Sequence, residues 1–229
     1  MAYENTGTVR IMNNYKLVMF DMDGTLLNGR GIFKIAEKKG FLDKLLAYIK
    51  DKNYEFYERS IKIAKLSEGY HTKEYFDIFQ KIPLQENVIE VIEELKKKNI
   101  KTAIVTDSYQ FLAENLRERL GMDYAYANNL IINDNIITGE LEIHNKDLIK
   151  DEVSGGIYSI CKGYVLEELC KKHNISNKEV IAIGDGIVDI GMIRKAGLGI
   201  AFNAPEHVGK HADVISNKIS TILDYVDGV

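Results

Sequence analysis

Asp21-Met22-Asp23-Gly24-Thr25 places two carboxylates one residue apart. They follow Leu17-Val18-Met19-Phe20, a short apolar run with the look of a buried strand. A carboxylate at the end of a buried strand costs several kcal/mol unless it is paired or bound to a cation. Two together raise one another's pKa unless a positive charge intervenes. Alternation along the strand puts Asp21 and Asp23 on one side. The chemistry this pattern can do is a nucleophilic carboxylate beside an acid/base carboxylate, sharing a metal.

Three further groups have the same setting. Gly184-Asp185-Gly186-Ile187-Val188-Asp189 is a second acidic turn after an apolar run. It can add the oxygen ligands that a hard cation such as Mg²⁺ takes. Thr106-Asp107-Ser108 follows Ala103-Ile104-Val105, so the spacing predicts that Thr106 ends a strand and Ser108 starts a helix. A hydroxyl and backbone N–H groups there suit a phosphate oxygen, or make an ordinary helix cap. Lys162-Gly163 gains interest only from this company, as a cation for the carboxylates and a transferred group. His207 and His211 lie four apart, but no further Cys or His completes a zinc set, and they read as surface residues.

The elements that must position these residues are legible. Val180–Ile183 and Leu198–Phe202 repeat the apolar character of Leu17–Phe20 and Ala103–Val105, as strands buried on both faces do. Helical spacing alternates with them at Val88, Val91, Ile92 and Leu95, at Phe111, Leu112, Leu116 and Leu120, and at Val165, Leu166, Leu169 and Cys170. That alternation predicts an α/β fold with a doubly wound parallel sheet, whose ligands bind beyond the carboxyl ends of the strands. Residues 29–82 break it with three helical stripes: Phe41 to Ile49, Tyr57-Ile61-Ala64, and Tyr75-Phe76-Phe79. They read as an all-helical insertion, entered past Gly29 and Gly31 as a hinge and closed by Pro83. Leu130 to Gly139 reads as a hairpin around Asn133-Asp134-Asn135. The expected division is an N-terminal extension (1–15), a catalytic core (16–28 and 83–229) and a helical cap (29–82).

Composition excludes several classes. The 229-residue chain is 45% apolar with a net charge of −4, and has no long basic run for nucleic acid. No apolar stretch reaches the roughly 20 residues that span a bilayer. Two cysteines, Cys161 and Cys170, fit reduced thiols in a cytoplasmic protein.

Together these motifs resemble those of the haloacid dehalogenase superfamily of phosphohydrolases. Asp21-Met22-Asp23-Gly24-Thr25, Thr106, Lys162 and Gly184-Asp185-Gly186 with Asp189 match its four motifs in order and spacing. The insertion resembles a C1 cap. Leu120 to Asn128 and Ala196 to Ala204 are most similar to the phosphoserine phosphatase-like subfamily. The resemblance implies a Rossmann-like core and a Mg²⁺-dependent hydrolysis of a small phosphorylated metabolite, in a monomer or homodimer. It implies Asp21 as nucleophile and Asp23 as acid/base. Asp21, the Asp23 carbonyl and Asp185 hold the metal, with Asp189 in the metal's surroundings. Thr106, Asp107, Ser108 and Lys162 face the phosphoryl group.

The chain also departs from that subfamily. Thr106-Asp107-Ser108 stands where serine and two glycines are usual, and Val188 stands for an asparagine. Arg30 falls near the subfamily's substrate-reading Glu. Ile63 falls near its carboxylate-binding Arg, with Arg59 one turn earlier. An arginine at position 30 repels an ammonium where Glu attracts it. These departures keep a different metabolite, or phosphotransfer to an alcohol, as alternatives. A phospho-accepting receiver is the reading from another class. It would lack the helical cap and leave Asp23 without a task.

Overall fold

A computed structural model describes residues 14–226. A seven-stranded sheet runs in the order β4-β3-β2-β1-β5-β6-β7. Its strands are β1 (Leu17–Phe20), β2 (Lys101–Tyr109), β3 (Tyr124–Asn133), β4 (Ile136–Glu142), β5 (Val180–Gly184), β6 (Leu198–Phe202) and β7 (Val214–Ser216). All neighbouring pairs are parallel except β3 with β4. The chain first builds outward from β1 to β2 and β3, then returns to β5 on the other side of β1. The order therefore reverses at β1, the point where doubly wound sheets open a crevice.

Alternation along β1 explains the two-layer cover. Val18 and Phe20 pack into a core shared with α5 (Val88–Lys97) and α6 (Gln110–Leu120). Leu17 and Met19 pack on the opposite face with Val165, Leu166 and Leu169 of α7 (Lys162–His173) and Met192 of α8 (Ile190–Lys195). Both faces are apolar, so strands of continuous hydrophobics are stable here and would not be at an exposed surface. Two short helices, α9 (Glu206–Gly209) and α10 (Leu223–Val226), complete the carboxyl-terminal part.

Between β1 and α5 lie four helices: α1 (Gly31–Lys39), α2 (Leu42–Lys50), α3 (Phe56–Lys65) and α4 (Thr72–Phe79). The sequence stripes show only three. The first turn of α1 has no acidic residue and its N-cap, Arg30, makes no side-chain cap, so the usual start signal is missing. The Tyr57-Ile61-Ala64 stripe marks the inward face of α3 only at Ala64, which is fully buried. Ile61 is exposed, while Phe56, Ser60 and Ile63 turn toward a cavity. The β3–β4 hairpin turns through Asp134 and Asn135, both at positive φ (49° and 65°), which matches the twist of the flanking strands. Its tip docks on this helical segment, with the Thr72 and Gly69 N–H groups donating to the Asn135 and Ile137 carbonyls. Among the described residues, no helix is long and apolar enough to cross a membrane.

β2 differs from expectation. It continues through Thr106, Asp107 and Ser108 to Tyr109, and α6 begins only at Gln110. Ser108 therefore does not start the helix, and none of Thr106, Asp107 or Ser108 caps it. Pairing with β3 shifts register between Val105 and Tyr109, so the motif forms an irregular strand end and not a helix turn.

Candidate active site

The carboxyl ends of β1, β2 and β5 converge at the floor of a cavity of about 350 Å³. β1 delivers Asp21, whose N–H donates to the Ile183 carbonyl of β5 at 3.0 Å, locking the two strand ends together. The turn then brings Asp23 back into the same cavity. Gly24 makes that turn possible. Its φ is +98°, and a Cβ there would lie 2.6 Å from Asp185 Oδ2. Gln85 Nε2 pins the turn by donating to the Gly24 carbonyl at 3.0 Å.

Lys162, the first residue of α7, is buried and reaches across to the end of β1. Its Nζ lies 2.5 Å from Asp21 Oδ1 and 2.5 Å from Asp189 Oδ1. Lys162 therefore takes the place the sequence assigns it, as a cation among the carboxylates. Asp189 has no exposed side-chain surface, and its Oδ2 accepts from the Gly186 N–H at 2.8 Å. The approach requires Gly184, since a Cβ there would sit 2.4 Å from Asp189 Cγ. Burial by itself pulls the Lys162 pKa down, but Asp189, Asp21 and Asp107 together outweigh it and hold the ammonium well above its ordinary value. Burial raises Asp189 against the opposite pull of Lys162 and the Gly186 N–H.

Asp23 Oδ1 accepts from the Gly31 N–H at 2.5 Å, which ties the first turn of α1 to the floor. Its pKa is raised to about 7. Burial is the main cause, and Asp21 and Asp107 add to it against the Gly31 N–H and Arg30. A carboxylic acid in this range can hold and release a proton near neutrality. Arg30 Nη2 donates to Asp185 Oδ2 at 3.0 Å. Asp185 and Asp107 are both raised, chiefly by burial and then by neighbouring acids. Asp107 is exposed at the cavity, within electrostatic reach of Lys162 and Arg30.

Thr106 lies beneath the floor, fully buried, and its Oγ1 accepts from the Ser108 N–H at 3.2 Å. Asp107 and Ser108 line the cavity, and the buried Ser108 hydroxyl has no partner. Arg30 and Arg59 line it as well, on the side of the helical segment, with Val188 on the opposite wall. His207 is exposed, and neither it nor His211 belongs to a metal-ligating group among the described residues.

Two positions escaped the sequence reading. Asn128 is buried in β3, where its Nδ2 donates to the Asp107 carbonyl at 2.7 Å and to Ser159 Oγ at 2.9 Å. A strand-disfavoured Asn inside an apolar run was the available signal. Tyr158 stacks on Phe56 with ring centroids 4.5 Å apart, closing the cavity between α3 and the loop before α7. Nothing local marks that contact, because 102 residues separate the two rings.

Oxygen atoms of Asp21, Asp185 and Asp189 all lie within 4.8 Å of one another, with no softer ligand among them. Five carboxylates (Asp21, Asp23, Asp107, Asp185 and Asp189) face two cations, Lys162 and Arg30. An all-oxygen donor set with excess negative charge fits a hard divalent cation.

Residues 15–197 match the model of a family described as haloacid dehalogenase-like hydrolases. The chain belongs to that family. It is 31% identical over 216 residues to a phosphoserine phosphatase of Methanocaldococcus jannaschii, covering 92% of this chain and 97% of that one. It is 30% identical to a phosphoserine phosphatase of Campylobacter jejuni subsp. doylei, covering 87% and 92%. A solved phospho-aspartyl intermediate analogue of phosphoserine phosphatase superposes with a TM-score of 0.78 at 30% identity, covering 93% of this chain and all of that one. A substrate-bound phosphoserine phosphatase complex matches equally well. This haloacid dehalogenase-like hydrolase is a phosphatase, and the receiver reading is set aside.

Proposed function

We propose that the protein hydrolyses small phosphomonoesters through an aspartyl-phosphate on Asp21, with Mg²⁺ as cofactor. The observation that carries this reading is Lys162 Nζ held 2.5 Å from both Asp21 and Asp189, beside an Asp23 whose pKa is raised to about 7.

An Asp21 carboxylate oxygen attacks phosphorus, and the bond to the leaving oxygen breaks. Asp23 gives its proton to that oxygen, so the alcohol leaves neutral. Asp23 then takes a proton from a water that attacks the phosphorus of the aspartyl-phosphate. The acyl-phosphate P–O bond breaks, inorganic phosphate departs, and Asp21 is restored. Lys162 faces the phosphoryl oxygens and keeps Asp21 aimed. Asp189 acts through Lys162, holding its ammonium in place. Asp107, Ser108 and the Thr106 hydroxyl beneath them shape the phosphoryl end of the cavity. Asp21 and Asp185, with the Asp23 carbonyl, would hold Mg²⁺, and Asp189 borders the same oxygen cluster. The cation offsets charge developing on the phosphoryl oxygens.

In this reading residues 29–82 form a cap over a core of 16–28 and 83–229, and its closure excludes water from the intermediate. Phosphoserine is the ester for which the relatives are named, so it is the first to assay. A cytoplasmic location and a monomer or homodimer belong to the same proposal.

Asp21→Asn tests it. The variant should fold, with an unchanged circular dichroism spectrum, and lose turnover of every phosphomonoester. EDTA should silence the wild type and Mg²⁺ restore it. Retained activity in Asp21→Asn, or hydrolysis indifferent to EDTA, refutes the proposal.

A further inference from the structure

We propose that the leaving group of the natural ester is a largely apolar alcohol that bears an anionic group and no ammonium. Its body would lie against the Phe56–Tyr158 wall and its anion against Arg59. This rests on the phosphatase reading above and narrows its substrate class.

The chamber above the floor is walled by Phe33, Leu45, Ile49, Phe56, Ile63 and Tyr158. An ammonium entering such a space must find a carboxylate, or it is buried without a partner. The helical segment offers none: its two charged lining residues are Arg30 and Arg59. Four of the five floor carboxylates are already engaged. Asp185 accepts from Arg30, Asp23 from the Gly31 N–H, and Asp21 and Asp189 from Lys162. The fifth, Asp107, is exposed at the cavity with no ion pair of its own among the described residues, under the through-space pull of Lys162 and Arg30. An amino-acid ester would thus bring its ammonium toward two arginines and a wall of hydrocarbon.

Arg59 is built to receive an anion. Its Nε donates to the Tyr54 carbonyl at 2.9 Å and its Nη1 to the Ile49 carbonyl at 3.3 Å. Its guanidinium lies 4.8 Å from the centre of the Phe56 ring. Held on three sides, it has no carboxylate partner among the described residues. A guanidinium fixed in this way loses little freedom on binding a carboxylate. Beside Arg59, the Phe56 and Tyr158 side chains border the cavity and present apolar surface that a ring or branched chain fills.

Primary alcohol esters keep leaving-group chemistry comparable with serine, so phosphoserine, benzyl phosphate and 4-carboxybenzyl phosphate form the test set. With the Mg²⁺-loaded enzyme, kcat/KM should rise in that order. The carboxylate should be worth about tenfold over benzyl phosphate, as one charge-assisted contact is. Arg59→Gln should bring the ratio of 4-carboxybenzyl to benzyl phosphate toward one. Ile49 lies at the cavity rim with 38% exposure, so Ile49→Glu tests the same point without loading the core. It should push that ratio below the wild-type value by repulsion. Phosphoserine outrunning both benzyl esters overturns the inference and leaves the phosphatase intact. A ratio unmoved by either substitution also overturns it. No turnover of any of the three overturns both readings.

Discussion

Replacing Lys162 by Met removes the charge that two buried carboxylates share. The side chain has no exposed surface, and its ammonium lies 2.5 Å from Asp21 and from Asp189. In the proposed reading, a bound cation would give Asp21 a second source of compensation. Asp189 is left with one N–H donor, Gly186. Breaking a buried pair from one side typically costs about 3–5 kcal/mol. For a chain of this size, roughly 2–4 °C of melting temperature accompanies each kcal/mol, so Lys162→Met should melt about 6–20 °C below the wild type. The deficit should depend on pH. Without Lys162, the folded-state pKa of Asp189 rises further above its unfolded value of about 3.9. A carboxyl raised on folding imposes no penalty below the unfolded pKa. The penalty grows as pH climbs toward the folded one, so the loss should be larger at pH 8 than at pH 5. Urea unfolding at both pH values, with Mg²⁺ present, measures it. The double variant Lys162→Met/Asp189→Leu should recover most of the loss, because no uncompensated charge is left in the interior. A single-variant deficit below about 1 kcal/mol, a deficit that does not change with pH, or no recovery in the double variant would refute the reasoning.

Other outcomes follow from the same geometry. Asp23→Asn should cost about 10²–10⁴ in kcat/KM, which reports the first step, on alkyl phosphates, and far less on p-nitrophenyl phosphate, whose phenolate leaves without a proton. Equal losses on both would remove Asp23 from the proton-carrying role. The protonated Asp23 serves the first step, so alkyl-ester turnover should decline as pH rises through its pKa. That pKa is about 7 from the protein alone, and a bound cation moves the decline to lower pH. Gly24→Ala must accommodate a Cβ at φ +98° that would lie 2.6 Å from Asp185 Oδ2. Calorimetry should show weaker Mg²⁺ binding, with a stability loss of about 1–3 kcal/mol in EDTA. Unchanged Mg²⁺ affinity would mean that Asp185 is not constrained by that turn.

The strands that carry the chemistry could be read because burial on both faces leaves an unmistakable apolar run. β1 and β6 have the expected ends, and β5 adds only Gly184. The end of β2 could not be read. Thr106, Asp107 and Ser108 resemble a helix start, but pairing with β3 across a register shift keeps them extended to Tyr109. α1 was hidden by a start that lacks a side-chain cap. The inward face of α3 is legible only at Ala64, because the rest borders a cavity, where Ser60 and Arg59 are as much at home as Phe56.

The chain by itself determined the layers of the fold and which polar groups gather at the strand ends. Asp21, Asp23, Lys162 and Asp185 stand at element boundaries, where local periodicity stops and a polar residue has no packing reason to be. Tertiary structure alone decided what those groups became. Lys162 is a buried bridge and not a solvated lysine, because α7 packs against the sheet and turns its first residue toward β1. Asp23 is raised to about 7 because the fold desolvates it at the cavity floor beside Asp21 and Asp107, against the opposite pull of the Gly31 N–H. Arg59 faces a hydrocarbon wall made by residues that lie up to about a hundred positions away in the chain. Such properties depend on desolvation and on charges brought together from distant segments, and neither has a signature in local spacing.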